Sequence, residues 1–196
     1  STPGREMEQP DKPALRRAFL RGWLDCLPFI VIVVPFSMLF GVVARDAGLD
    51  LFQTLAMSFI VIAGASQFTA LALLQDNAPV FVALLTALVV NLRMVMYSAA
   101  LVPHLGHAPL GRRMLMSYLM VDQAFALALR TYEDNPGMRP DEKVAYYMGS
   151  MLVVFPAWMV FSLVGALVGQ AIPAEWGLDF ALPVCFIALT APLLRS

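Results

Sequence analysis

An all-α, polytopic membrane helical bundle of about six transmembrane segments, its helices broken at Pro and Gly, is the fold this sequence predicts. The first observation is composition: 60% of residues are hydrophobic and 14% charged, against about half and a quarter in soluble domains. The second is segmentation into apolar stretches at about 24–44, 51–75, 80–102, 114–129, 144–170 and 178–194. Most of these reach the ~17 to 25 residues that a ~30 Å hydrocarbon core asks of a helix; the fourth is short and needs its flanks. The third is punctuation by Pro28, Pro35, Pro156, Pro183 and Pro192 inside those stretches. Each removes a backbone donor, so kinked or interrupted helices are expected.

Residues 1–22 read as a cytoplasmic tail. Pro3, Pro10 and Pro13 mark its first part as extended or disordered. From Ala14 onward, Leu15, Ala18, Phe19 and Trp23 recur at helical spacing with Arg16, Arg17 and Arg21 between them, the pattern of a basic amphipathic helix at the headgroups. Residues 23–196 read as a single transmembrane transporter domain. The first apolar stretch is too long for a signal peptide and lacks a small-residue cleavage pattern. With the N-terminus in the cytoplasm, nine Lys and Arg fall on the inner side and three on the outer, among them Arg112 and Arg113. That bias follows the positive-inside rule. Gly48-Leu49-Asp50 recurs as Gly177-Leu178-Asp179, a short echo between two connections. Gly165 and Gly169 form a Gly-x-x-x-Gly face for close helix approach, inside the chain or against another subunit.

A net charge of −1 gives no basis for binding nucleic acid. Cys26 and Cys185 both lie in apolar stretches and read as packing thiols. Neither a cofactor nor a metal is called for.

Two full charges lie deep in apolar stretches. Arg93 sits roughly 3 Å past the midpoint of the third and Asp122 almost at the midpoint of the fourth, at ~1.5 Å rise per residue. A guanidinium stays protonated at physiological pH, so Arg93 requires a partner. Sequential helices joined by a short connection are neighbours by default, which leaves a direct pair with Asp122 open. Such charges persist in a bilayer where they pair, line water or bind something. One reading is a structural pair in a non-transporting scaffold or assembly subunit. The other gives Arg93 the carboxylate of a small substrate, and Asp122 its ammonium or a transported proton, since an Asp can be neutralised by protonation. Gly64-Ala65-Ser66-Gln67 lies near the middle of the second stretch, where small and polar residues offer backbone and hydroxyl groups to a substrate carboxylate or pack helices closely. Tyr97 shares a helix face with Arg93, and Asn91 lies on the next stripe. The candidate binding set is thus Arg93, Asn91, Tyr97, Gly64, Ser66, Gln67 and Asp122, with Asp122 and Gln123 as candidate coupling residues.

Two rival chemistries fit less well. Ser66 as a protease nucleophile needs a His at membrane depth, whereas His104 and His107 follow the third stretch around Pro103. The same two histidines as a metal site lack an adjacent Cys, Asp or Glu.

Gly64-Ala65-Ser66-Gln67-Phe68, Asn91-Leu92-Arg93 with Tyr97 and Pro103, and Val121-Asp122-Gln123-Ala124-Phe125-Ala126-Leu127 resemble, in order and spacing, the AzlC family of branched-chain amino-acid permeases. The likeness runs from about Gly22 to Leu194 and includes Gly177-Leu178-Asp179-Phe180-Ala181-Leu182-Pro183. It implies a secondary transporter, not an enzyme, that exports valine, leucine, isoleucine or methionine across the bacterial inner membrane. It also implies a small AzlD-like membrane subunit as partner. Family members commonly carry an acidic residue after the Asp; Gln123 stands there in this chain. An amino acid of this class is a zwitterion with an apolar side chain. It asks for a cation, an anion and an apolar wall, for which Phe36, Met38, Phe40, Phe68 and Met94 are candidates.

Overall fold

The computed structural model describes residues 11–60 and 64–169, with backbone alone at residues 60, 64–68, 74 and 93. Among the described residues there is no strand. The elements are α1 (Lys12–Cys26), α2 (Ile30–Asp46), α3 (Leu51–Ile60), α4 (Gly64–Gln75), α5 (Val80–Asn91), α6 (Arg93–Leu105), α7 (Leu110–Tyr118), α8 (Asp122–Asp134) and α9 (Pro140–Gly169). A 3-10 turn over Leu27–Phe29 joins α1 to α2. The all-α membrane bundle read from composition is the observed fold class.

Three helical stretches among the described residues are long and apolar enough to cross a membrane: Lys12–Asp46, Val80–Leu105 and Pro140–Gly169. Three of the six expected segments need comment. The second is represented by α3 and α4, and residues 61–63 between them lie outside the described residues. The sixth, 178–194, lies outside them altogether. The fourth differs from expectation: instead of one helix over 114–129, α7 ends at Tyr118 and α8 begins at Asp122. Val121 is extended at φ −133° and ψ 158°. Hydrophobicity makes Leu119-Met120-Val121 look like the middle of a span, because an apolar run carries no mark of where backbone hydrogen bonding stops.

The chain divides into two compact units, one of residues 1–27 and 98–153, the other of residues 28–97 and 154–196. In the first, α1 and the first half of α9 touch backbone to backbone. A Cβ on Gly22 would collide with the Tyr146 carbonyl, and one on Gly149 with the Phe19 carbonyl. Glycine is required at both positions by that approach. Polar side chains then tie the surrounding helices to α9. Tyr146 donates to Asp25 Oδ2 at 2.8 Å and accepts from Thr131 at 3.0 Å. Tyr147 donates to the Met116 carbonyl at 3.0 Å, and Tyr132 to the Lys143 carbonyl at 2.6 Å. A buried hydroxyl without such a partner would cost about 1–3 kcal/mol, so these bonds fix which faces of α1, α7 and α8 turn inward. Burial, with Tyr147 and Tyr146 alongside, pushes the Tyr132 phenol up and keeps it a donor.

In the second unit α2 crosses the latter half of α9 with equal intimacy. Gly165 lies against the backbone of Met38, Gly41 against that of Ser162, and Gly169 against Val42. The Gly165–Gly169 face therefore packs inside the chain. Phe36 and Phe40 flank Trp158 at ring separations of 5.8 and 6.0 Å, and Phe59 meets Phe155 edge-on at 6.2 Å. Pro35 and Pro156 sit within helices that continue past them. A reciprocal cap opens α3, where Asp50 and Gln53 exchange backbone N–H and side-chain oxygen bonds at 2.7 and 3.0 Å. This is the capping-box arrangement, and it explains the first Gly-Leu-Asp triplet as a helix-start signal, with Gly48 at φ +89° turning the chain.

Candidate functional site

The second unit holds most of the residues singled out in the sequence. Helices α4 and α5, twelve residues each, pack against one another. Their four-residue connection, 76–79, turns at Asn77 with φ +56°. Antiparallel helices of equal length bring their far ends level, so Gly64, Ser66 and Gln67 of α4 share one end of the hairpin with Asn91 of α5. Arg93 follows immediately. Between Asn91 and Arg93 the helix tightens without leaving helical dihedrals, Leu92 having φ −59° and ψ −24°: its N–H bonds the Val89 carbonyl at 3.1 Å, and its own carbonyl accepts from Val95 at 3.0 Å. These i to i−3 bonds replace the helical i to i−4 pattern locally. Arg93 is the first residue of α6. Asn91 and Tyr97 are half-buried.

Asp122 and Gln123 belong to the first unit. They open α8, immediately after the extended Val121. Oδ1 of Asp122 is shielded from solvent. A carboxylate in the first turn of a helix is stabilised by the positive end of the backbone dipole, by about 0.3–1 kcal/mol. Asp122 is thus placed at a helix start rather than on the flank of a continuous span. Ser98 of α6 places its hydroxyl 4.0 Å from the sulfur of Met120, inside the α7–α8 interruption. Arg93 follows a 3-10 turn in one unit and Asp122 an extended residue in the other.

The histidines separate. His104, in the last turn of α6, has Nδ1 3.0 Å from Lys143 Nζ and its ring 5.2 Å from that of Tyr132. His107 is exposed beyond the helix end. Cys26 is buried in the first unit, and Cys185 lies outside the described residues.

Sequence reasoning missed one group. Ser58 Oγ, Trp158 Nε1 and Ser162 Oγ, all in the second unit, are buried with no hydrogen-bond partner among the described residues. All three can donate a hydrogen bond. Trp158 stands between Phe36 and Phe40, both of them named above as candidate apolar wall. A Trp and a Ser four residues apart in the otherwise apolar second half of α9 was the available signal.

Comparison with known proteins adds the remaining finding. The sequence is 29% identical over 190 residues to the inner membrane protein YgaZ of Escherichia coli K12, covering 93% of this chain and 76% of that one. It is 27% identical over 176 residues to an uncharacterized membrane protein of Helicobacter pylori, covering 87% of this chain and 75% of the relative. A third relative, an uncharacterized membrane protein of Archaeoglobus fulgidus, is 24% identical over 182 residues, covering 91% and 77%. No solved structure matches. Residues 28–172 match the family described as AzlC protein, a span that takes in the Gly64–Gln67, Asn91–Arg93 and Asp122–Gln123 segments together. The chain belongs to the AzlC family.

Proposed function

We propose that this membrane protein is a secondary transporter that exports the branched-chain amino acids valine, leucine and isoleucine, together with the unbranched methionine. It works in the bacterial inner membrane with its N-terminus in the cytoplasm. The observation that carries the reading is the local 3-10 turn at Leu92. There the hydrogen bonding of an apolar helical stretch tightens to i to i−3 next to a permanent cation, at the hairpin end that also holds Gly64, Ser66 and Gln67. A 3-10 turn within a helix often marks a functional hinge.

In this mechanism Arg93 takes the substrate carboxylate. Asn91, Tyr97, Ser66 and Gln67 orient it, and Gly64 allows close backbone approach. The buried donors of Ser58, Trp158 and Ser162 supplement that polar set, and Phe36 and Phe40 receive the aliphatic side chain. Asp122, with Gln123 beside it, binds and releases the coupling proton, so that substrate and proton movements are linked. A small AzlD-like membrane subunit completes the transporter. The stretch Val80–Leu105 buries 6% of its apolar window, which leaves that helix for lipid and for this partner to cover.

Efflux of radiolabelled valine from vesicles containing the chain and the small subunit tests the proposal. Valine flux that requires both subunits, saturates, and is competed by leucine supports it. A saturable flux unchanged by Arg93→Ala would eliminate Arg93 as the carboxylate site, and absence of flux for any branched-chain substrate would overturn the function.

A further inference from the structure

A second charged site lies well away from these residues in sequence, within the first unit. Helix α1 and the connection between α8 and α9 enclose an open cavity of about 400 Å³. Arg17, Arg21, Asn135 and Glu142 supply its polar lining, and Ala14, Ala18 and Met138 its floor. Arg17 and Arg21 fall one turn apart on α1. Their alternation with Ala14 and Ala18 opens space beside the helix where larger side chains would close it.

Its depth can be read from helix length. The run Lys12–Asp46 is 35 residues, or about 52 Å at 1.5 Å per residue, whereas the hydrocarbon core needs only ~30 Å. The apolar stretch begins at about residue 24, which puts Arg21 about 4.5 Å and the Arg17 backbone about 10 Å outside the hydrocarbon at ~1.5 Å per residue, both within reach of the headgroup layer through their long side chains. Further along the same helix, toward the apolar part, Leu24 is 57% exposed and follows Arg21 by three residues, on a neighbouring stripe. An exposed Leu just below two arginines suits an acyl chain leaving a headgroup, while Trp23, on another face of the helix, is a typical interfacial anchor.

We infer that this cavity binds a phospholipid headgroup, the phosphate held by Arg17 and Arg21 and a headgroup ammonium by Glu142, with an acyl chain passing Leu24. Arginine suits the phosphate because its planar fork makes paired charge-assisted hydrogen bonds. Arg21 lies 3.6 Å from Asp25 through Nε, which steadies its side chain. Glu142 is steadied by the Arg139 N–H at 3.1 Å. The combination of two cations with one carboxylate favours a zwitterionic headgroup bearing a primary ammonium over a purely anionic one. A quaternary ammonium offers Glu142 no N–H to accept.

Native mass spectrometry of the delipidated chain, titrated with phosphatidylethanolamine, phosphatidylglycerol or phosphatidylcholine, tests this. Phosphatidylethanolamine is expected to bind about tenfold more tightly than phosphatidylcholine, the worth of one charge-assisted hydrogen bond. Arg17→Gln combined with Arg21→Gln should lower binding of all three by about tenfold or more. Glu142→Gln should abolish the preference for ethanolamine over glycerol while phosphate binding persists. Circular dichroism reports whether the double variant folds. If it does not, Arg17→Lys, which keeps charge but loses the fork, should still weaken binding several-fold. Lipid retention unchanged in the folded arginine variants would overturn the assignment. So would displacement of bound lipid by an equal concentration of inorganic phosphate, which would make the ligand a free anion, or an ethanolamine preference that survives Glu142→Gln.

Discussion

Helix α9 and the stretch from α7 to α8 make an instructive pair. Helix α9 carries Pro156 and still runs for 30 residues. The stretch from Leu110 to Asp134 contains Gly111 but no glycine or proline near its interruption at Leu119–Val121. The same holds at Leu92, between α5 and α6. Proline removes one hydrogen bond, and a helix clamped on both halves by glycine-mediated contacts, as α9 is at Gly149 and Gly165, absorbs that loss. Neither place coincides with a helix breaker; each is followed directly by a charged residue. The two differ in kind. Val121 is extended, so Asp122 stands at a helix start and agrees with its dipole, whereas Leu92 keeps helical dihedrals, so Arg93 lies within a nearly continuous helical stretch.

This contrast predicts that damage to the clamped helices destroys stability and damage at the interruptions destroys function. The largest effect belongs to the clamp: Gly165→Val forces side-chain atoms into the Met38 backbone and should cost about 3 kcal/mol, seen as a lowered melting temperature or failed expression. A Gly165→Val protein that melts like the parent would mean that the α2–α9 crossing is looser than described. Arg93→Ala comes next, with valine flux reduced about a hundredfold, equivalent to roughly 2.7 kcal/mol of lost charge-assisted binding, and with unchanged melting. If flux and melting fall together, Arg93 is structural and the scaffold reading gains.

Asp122→Asn separates coupling from folding. It should leave stability within about 1 kcal/mol of the parent, the dipole contribution alone, while flux ceases to respond to an imposed proton gradient. Gradient-driven flux that persists in this variant would remove Asp122 from the coupling role. The smallest effect is a gain: Val121, extended and without a side-chain cap before α8, becomes a capping residue in Val121→Thr. That change should stabilise by about 0.5–1 kcal/mol, measured as a small rise in melting temperature. A loss instead would show that the Val121 methyls matter more than the orphan N–H groups.

Much of this molecule was legible before any coordinates. The fold class followed from composition, because so apolar a chain has no soluble solution. The close approach at Gly165 and Gly169 followed from spacing, although only the structure showed the contact to be internal. The basic face of α1 was visible in Arg16, Arg17 and Arg21, but the cavity beside it was not, since Asn135 and Glu142 come from more than a hundred residues further along. The fourth segment was misjudged for a definite reason: hydropathy measures what side chains prefer and is silent about which backbone bonds form.

What the sequence determined by itself is the kind of environment each residue needs: lipid for the apolar stretches, headgroups for the arginines of α1, and a partner for Arg93 because its charge cannot be titrated away. Tertiary structure decided where helices stop, which glycines touch which carbonyls, and that Gly64–Gln67 and Asn91 share one end of a hairpin. Side-chain chemistry is written residue by residue, whereas interruptions and junctions arise from competition among many contacts at once.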